Sequence, residues 1–294
     1  MVARTRGEAA FNVANILFMV LLMVAIFVPL LSVVSTSLVS NQELARRNIV
    51  IIPDTPDLTA YKVIFRRGGP IFDAYKITLF RVLVGTTINM VFTYFVGYAL
   101  SRKDLPGRTL LTLFFFFTMM FGGGLIPYYI VVKSFGLINS VWVYILPGII
   151  SVWNMLLMRN FIMAIPVSLT DAAEIDGASQ FTIIWRVVLP LSVPALVTIA
   201  LFYAVGHWNA WWDAYLFVST PKKQPMQLFL RNVLAQLQAS MAAINQQVNL
   251  SEQQPTPRAV QNAVVVVATV PIAVVYPFLQ KYFIKGIMIG SIKG

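Results

Sequence analysis

The sequence contains no cysteine and a single histidine, and only 11% of its 294 residues carry a charge. Without cysteine there is no thiolate nucleophile, no disulfide and no cysteine-based metal site, although the redox compartment is left open. One histidine cannot build a metal site by itself, and H-E-x-x-H does not occur. So little charge excludes an ordinary soluble domain, in which about a quarter of the residues are charged. Two motifs are missing as well. No glycine is followed by lysine, which removes the phosphate-cradling G-x-x-x-x-G-K-[ST] loop, and there is no G-x-S-x-G nucleophile elbow. An enzymatic role is therefore not expected, and if the chain takes part in active transport, the energy must come from another polypeptide.

What the chain has instead is apolar length: 58% of its residues are apolar and its mean hydropathy is +0.76. Crossing a hydrocarbon core takes about 20 apolar residues in a helix, the form in which backbone groups are satisfied internally. Six charge-free runs of that order occur: Phe11–Val39, Val82–Ser101, Leu110–Val132, Ser134–Met158, Val187–Trp212 and Ala259–Gln280. The first exceeds the roughly 7–15 apolar residues of a signal-peptide core and is expected to be a retained helix. The expectation is an all-α membrane protein, one domain over 1–294, with six transmembrane helices and both termini on one side.

Lys and Arg outnumber Asp and Glu by 22 to 11, giving a net charge of +11. A basic balance suits nucleic acid or an anionic membrane surface. Here the cations lie between apolar runs rather than along one helix or arm, so membrane lipid is expected and nucleic acid is not. Arg4, Arg6, Arg102, Lys103 and Arg108 argue for a cytoplasmic N-terminus by the positive-inside rule, with Arg159, Arg186, Lys281, Lys285 and Lys293 on the same side. Arg46, Arg47, Lys62, Arg66 and Arg67, in the first external connection, depart from the rule. Two long connections, about 40–81 and 213–258, are expected outside. The second holds an amphipathic stretch, Met226–Ile244, with Leu228, Phe229, Val233, Leu234 and Leu237 at helical spacing, either a partner-docking helix or a solvated cap.

Ion-coupled transporters and pumps need ionisable groups at membrane depth. The six runs have only His207, more simply a hydrogen-bonded packing residue than a proton relay. Between the fourth and fifth runs, however, lies a compact helix–turn–helix over about 165–190. Pro166 breaks what precedes it, Ser168 is placed to cap a helix, and Asp171 three residues later completes a capping-box-like pair. Ala172, Ala173 and Glu174 continue that helix, Gly177 is suited to the left-handed turn that ends it, and Ser179 to capping the next. Two alanines beside an acid would let another protein's groove approach closely.

Asp171-Ala172-Ala173, then Gly177, then Val187 and Leu189-Pro190 at matching spacing resemble the EAA loop of binding-protein-dependent ABC importer permeases. Asp replaces Glu at 171 and Val replaces Ile at 187. The resemblance covers nearly the whole chain and narrows to carbohydrate importers of the maltose type, MalG-like and within them LplC-like oligosaccharide permeases. It includes Tyr98-Ala99-Leu100-Ser101-Arg102, Leu105-Pro106-Gly107-Arg108, the segment His207 to Ala214, and the tail from Gln280 with Lys285-Gly286 and Lys293-Gly294. It implies the type I importer permease fold, with core helices over about 72–283 and a cytoplasmic coupling helix between helices 4 and 5. Asp171, Ala172, Ala173, Glu174, Asp176, Gly177, Leu189 and Pro190 are the implied ATPase contact. The implied partners are a second permease subunit, two ATPase subunits that hold ATP and Mg, and an extracellular or periplasmic solute-binding protein that delivers a sugar. No cofactor is implied on this chain, and the implied location is the bacterial inner or cytoplasmic membrane. A non-sugar solute, or a passive channel or scaffold, are the alternatives.

Trp208, Trp211, Trp212 and Tyr215 cluster with Asn209 and Asp213 near the end of the fifth run. At i, i+3 and i+4 the three tryptophans would share one helix face, turned either to lipid as an interfacial belt or to a sugar path. Asp213 should sit at the water boundary or in a cavity. Gly122, Gly123 and Gly124, followed by Pro127, interrupt the third run, for close helix packing or for a hinge beside a cavity. Pro147, Pro190, Pro194, Pro271 and Pro277 are expected to kink helices.

Overall fold

The computed structural model describes residues 6–47, 50–66, 69–244 and 257–291. Arg4, Arg67, Lys293 and Gly294, singled out above, lie outside them. The described residues contain helices and no strand. The chain divides into two compact units, residues 1–69 with 230–271, and residues 70–229 with 272–294.

In the first unit α1 (Arg6–Ser37) is followed by two short helices, α2 (Asn41–Arg46) and α3 (Thr59–Ile64). None of the most apolar stretch of α1 is buried within the chain, as suits a helix whose solvent is lipid. The connection after it is folded. The buried Glu43 carboxylate accepts the Asp54 N–H through both oxygens at 3.1 and 3.2 Å. Ser37 and Tyr61 share a hydrogen bond of 2.7 Å, and Asp57 accepts the N–H of Thr59 at 2.8 Å.

The second unit is built on α4 (Pro70–Ser101), which begins twelve residues before the charge-free run because Arg81 is inside the helix, not at its mouth. Next come α5 (Arg108–Met120), α6 (Leu125–Ser134), 3-10 turns at Val141–Tyr144 and Leu146–Gly148, α7 (Val152–Met163) and α8 (Val167–Ile175). After these follow α9 (Gln180–Leu191), α10 (Val193–Asn209) and α11 (Trp212–Phe217); α12 (Met226–Ile244) and α13 (Pro257–Ser291) each pass from one unit into the other. Met226–Ile244 thus forms the expected helix, its first turn packed inward through Met226 and Leu228.

Among the described residues three helices are long and apolar enough to cross a membrane: α1 from Ala10, α4, and the Arg258–Val275 part of α13. The three remaining runs are not single helices. α5 and α6 are bent by 115°, the turns at Val141–Gly148 and α7 by 50°, and α9 and α10 by 79°, so the count reaches six only if each bent pair is one span. Pro147 and Pro190 with Pro194 stand at two of these breaks, whereas Pro271 and Pro277 lie inside α13. At the third break Gly124 adopts φ +84°, open to glycine at no steric cost. Among the described residues, apart from their own chain neighbours, nothing lies within 4 Å of a Cβ added at Gly122 or Gly124.

Broken helices leave backbone groups unpaired, which is tolerable in a membrane only where the protein satisfies them. One stripe of α4 does this. Arg81, Gly85, Asn89, Thr93 and Gly97, four residues apart, are all buried. Asn89 donates to the carbonyls of Gly148 and Ile149 at 2.8 and 2.7 Å, covering the break before α7. Thr93 bonds the Tyr203 hydroxyl at 2.7 Å, which accepts the Ser151 N–H at 2.9 Å. Tyr94, beside the stripe, donates to Ile184 O at 2.9 Å, in the widened turn Ile184–Val188. The glycines allow the approach that makes these bonds possible. A Cβ at Gly97 would lie 3.1 Å from Met158 Cγ and 3.3 Å from the Arg159 backbone nitrogen. Gly97→Leu is therefore expected to force α4 and α7 apart and cost about 1–3 kcal/mol. A thermal melt in detergent at the wild-type midpoint would contradict it.

Candidate functional site

Two groupings in the second unit bear on function, and the loop that carries α8 is the more local. α8 starts at Val167 with Pro166 as its N-cap and no side-chain cap bond. Ser168 is therefore not the cap expected of it, because the fixed φ of Pro166 sets the boundary two residues earlier. The C-terminal end follows the expectation. Gly177 has φ +79°, its N–H reaches Glu174 O at 3.0 Å, and the Ala178 N–H reaches Ala173 O at 2.9 Å, a Schellman motif. Ser179 then accepts the Thr182 N–H at 3.3 Å and starts α9.

The two alanines do not share a face, contrary to the expectation. Ala173 packs inward on a cluster containing Tyr94, Tyr98, Met158, Ile162 and Ile184, with Val187 and Leu189 on the same cluster, while Ala172 is exposed. Asp171, Asp176, Gly177 and Pro190 are exposed too, and Ile175 is 85% exposed. An apolar residue so bare at the tip of a short helix, ringed by acids, suits a surface that another protein covers. Glu174 faces back into the chain. It accepts from Gln180 Nε2 at 2.9 Å and from Arg102 at 3.4 Å, and Tyr98 donates to Gln180 Oε1 at 3.0 Å. Arg102 also holds Asp104 at 2.9 Å, and this bond keeps the exposed Asp104 carboxyl below the usual carboxylate range. Tyr98, Arg102, Asp104, Asp171 and Glu174 line a cleft of about 370 Å³ between α8 and the turn after α4. Gly107, at φ +70°, closes that turn.

The second grouping was not legible as a site. Arg81, 4% exposed, makes a bidentate pair with Asp213, one arm at 3.0 Å, and donates to Ala210 O at 3.2 Å and to His207 Nδ1 at 3.3 Å. Its guanidinium carbon lies 4.9 Å from the centre of the Tyr144 ring. His207 Nε2 meets Asn89 Oδ1 at 2.8 Å, and Asn89 donates onward to the break before α7. Neutral imidazole with its proton on Nε2 satisfies every contact, because Nδ1 accepts from Arg81. A Cβ at Gly85 would lie 2.7 Å from His207 Nε2, so the ring occupies the space that glycine leaves. His207 is thus a packing residue held by hydrogen bonds on both sides. Asp213, in the first turn of α11, accepts the Ala214 N–H at 2.8 Å and is neutralised by Arg81, which also explains how it is accommodated next to apolar helices.

The aromatic residues divide. α10 ends at Asn209 with Ala210 extended, so Trp208 and Trp211 do not follow one helical path and the shared face is not formed. Trp208 is buried, while Trp212 and Tyr215 on α11 are 51% and 55% exposed and stacked at 5.8 Å, with Trp211 edge-on to both. Asn209 is exposed and its amide donates to Val205 O at 3.1 Å. Arg81, Asn89, Thr93 and Tyr203 were missed among the candidates. The signal was present as the four-residue spacing of polar and glycine residues along α4.

A bundle of broken apolar helices, held open to backbone pairing by a buried polar stripe and carrying an acidic helix on a short surface loop, defines the membrane-embedded part of a transport system. The chain belongs to the family of binding-protein-dependent transport system inner membrane components, whose model matches residues 86–289. It is 40% identical to Protein LplC of Bacillus subtilis strain 168 over 291 residues, 99% of this chain and 97% of that one. It is 38% identical to the polygalacturonan/rhamnogalacturonan transport system permease protein YtcP of the same strain, covering 94% of this chain and 96% of that one. Among solved structures it is similar to a chain of a bacterial ABC transporter involved in the import of the acidic polysaccharide alginate, with TM-score 0.87 and 26% identity over 96% of this chain and 100% of that chain.

Proposed function

We propose that the chain is one of two permease subunits of an ATP-driven importer for a sugar or oligosaccharide, in a bacterial cytoplasmic membrane with both termini inside. On this reading each bent helix pair is one crossing, giving six, and α8 is the cytoplasmic coupling helix between the fourth and fifth. The observation that carries it is the construction of α8: an acidic helix with a bare apolar tip, closed by a Schellman turn and bonded back to α4 through Glu174, Gln180, Arg102 and Tyr98. Such a helix can move as a unit when a partner pushes on it, and its displacement reaches α4 through the polar bonds and the Ala173 contact. Two ATPase subunits holding ATP and Mg supply that push, and a solute-binding protein delivers the sugar from outside. Trp212 and Tyr215 offer an apolar ring face against which a pyranose can stack, with Asn209 free to bond hydroxyls through its oxygen. The sugar class rests on the relatives, which include transport system permease proteins for polygalacturonan/rhamnogalacturonan and for arabinooligosaccharides.

The test is co-purification of the tagged chain, in mild detergent, from cells expressing its neighbouring transport components. An ATPase and a second multi-span protein should accompany the wild type and be depleted with Asp171→Lys. If neither protein appears even after crosslinking, the importer reading fails.

A further inference from the structure

A second cationic grouping lies apart from the junction at Arg81 and has no acid beside it. Arg108, the first residue of α5, and Arg159, in the last turns of α7, both donate through Nε to the carbonyl of Leu100, at 2.9 and 3.0 Å. Each Nε is thus within 3.0 Å of one oxygen, and the two are less than about 6 Å apart. That carbonyl belongs to the last turn of α4, where carbonyls lack helical partners, so it anchors both guanidiniums and is then saturated by them. The remaining donors of the pair have weak partners: Arg108 reaches Met163 Sδ at 3.4 Å and Arg159 reaches Asn160 Oδ1 at 3.4 Å. Neither arginine forms an ion pair among the described residues, whereas Arg47, Arg81 and Arg102 each hold a carboxylate.

Two oriented guanidiniums with spare forked donors and no acid form a receptor for a tetrahedral oxyanion, which they can grip bidentately. The surroundings select the source. α5 and α7 are neighbours, and beyond the arginines both present exposed apolar side chains, Leu111 and Phe114 on one and Trp153 and Leu157 on the other. An anion at the mouth of an apolar surface that continues away from it has the shape of a lipid. We propose that Arg108 and Arg159 form a binding site for the phosphodiester of an anionic phospholipid, with the acyl chains lying along α5 and α7. Basic pockets between transmembrane helices at the cytoplasmic boundary bind such headgroups. The site depends on the chain spanning a membrane and not on α8 acting as the coupling helix, so the two readings fail separately.

The test uses the assembled importer in detergent, depleted of lipid and offered phosphatidylglycerol or phosphatidylcholine, with bound lipid counted by native mass spectrometry. Wild type should retain phosphatidylglycerol in preference, and R108Q/R159Q should retain it about tenfold less or lower still. R108K/R159K keeps the charge but loses the fork, and an intermediate retention is expected, which serves if the Gln variant does not assemble. Equal retention by a folded R108Q/R159Q complex overturns the proposal. So does displacement of the lipid by inorganic phosphate alone at matched concentration, which would assign the pair to free phosphate. Loss of the ATPase from R108Q/R159Q with lipid retention unchanged would place the arginines in a protein interface and overturn it as well.

Discussion

Arg81→Ala should be the most damaging single substitution in the membrane bundle. It leaves the Asp213 carboxylate partly buried without a counter-charge and the Ala210 carbonyl without a donor at the break between α10 and α11. Removing one partner of a buried pair costs about 3–5 kcal/mol, and the 22% exposure of the Asp213 side chain places this case toward the lower end. Asp213→Asn should also destabilise strongly, because its amide oxygen still accepts from Arg81 but the buried guanidinium loses its counter-charge. The double variant Arg81→Leu/Asp213→Leu should recover part of the loss, since an apolar pair leaves no uncompensated charge. Thermal unfolding of the three proteins in one detergent checks this. Arg81→Ala as stable as the wild type would show that the pair is solvated and not part of the fold.

The second large effect is expected at Gly177 and concerns coupling, not stability of the bundle. Its φ of +79° is the left-handed conformation, which costs a side-chain-bearing residue about 1–2 kcal/mol and a β-branched one more. The space around it is open, with nothing within 4 Å of an added Cβ, so the penalty of Gly177→Val is conformational and confined to the turn. The Ala178–Ala173 and Gly177–Glu174 bonds should be lost, and with them the fixed angle between α8 and α9. The protein should remain in the membrane and assemble, while ATP hydrolysis by the complex continues without solute uptake. Gly177→Asn, tolerated in this conformation, should keep most of the uptake. Normal coupling in Gly177→Val would detach α8 from energy transfer.

The local features of the loop that carries α8 could be read directly because each is written within a few residues. Gly177 ends α8 and Ser179 caps α9 as their residue types suggest. Ser168 failed as a cap because Pro166 competes for the same boundary two residues earlier, and a fixed φ outweighs a side-chain acceptor. The apolar runs were legible as runs and not as helices. Hydropathy does not distinguish one helix from two bent pieces, and the breaks at Gly124, Pro147 and Ser192 depend on local punctuation and on partners elsewhere. The two glycines of the α4 stripe, Gly85 and Gly97, are explained only by His207 and Met158, which pack against them from other helices.

Membrane residence, the helical class and the turn that closes α8 at Gly177 were determined by the sequence alone, since composition and short-range spacing suffice for each. Where Arg81 goes was decided by tertiary structure. An arginine at the edge of an apolar run looks like a flank until Asp213, 132 residues later, neutralises it inside. The same holds for the aromatic residues, which were one face at helical spacing until the helix stopped at Asn209 and left Trp208 in the core and Trp212 outside. In each case a buried polar group or an unpaired carbonyl at a helix break had to find its partner on another element, and sequence spacing carries no record of that choice.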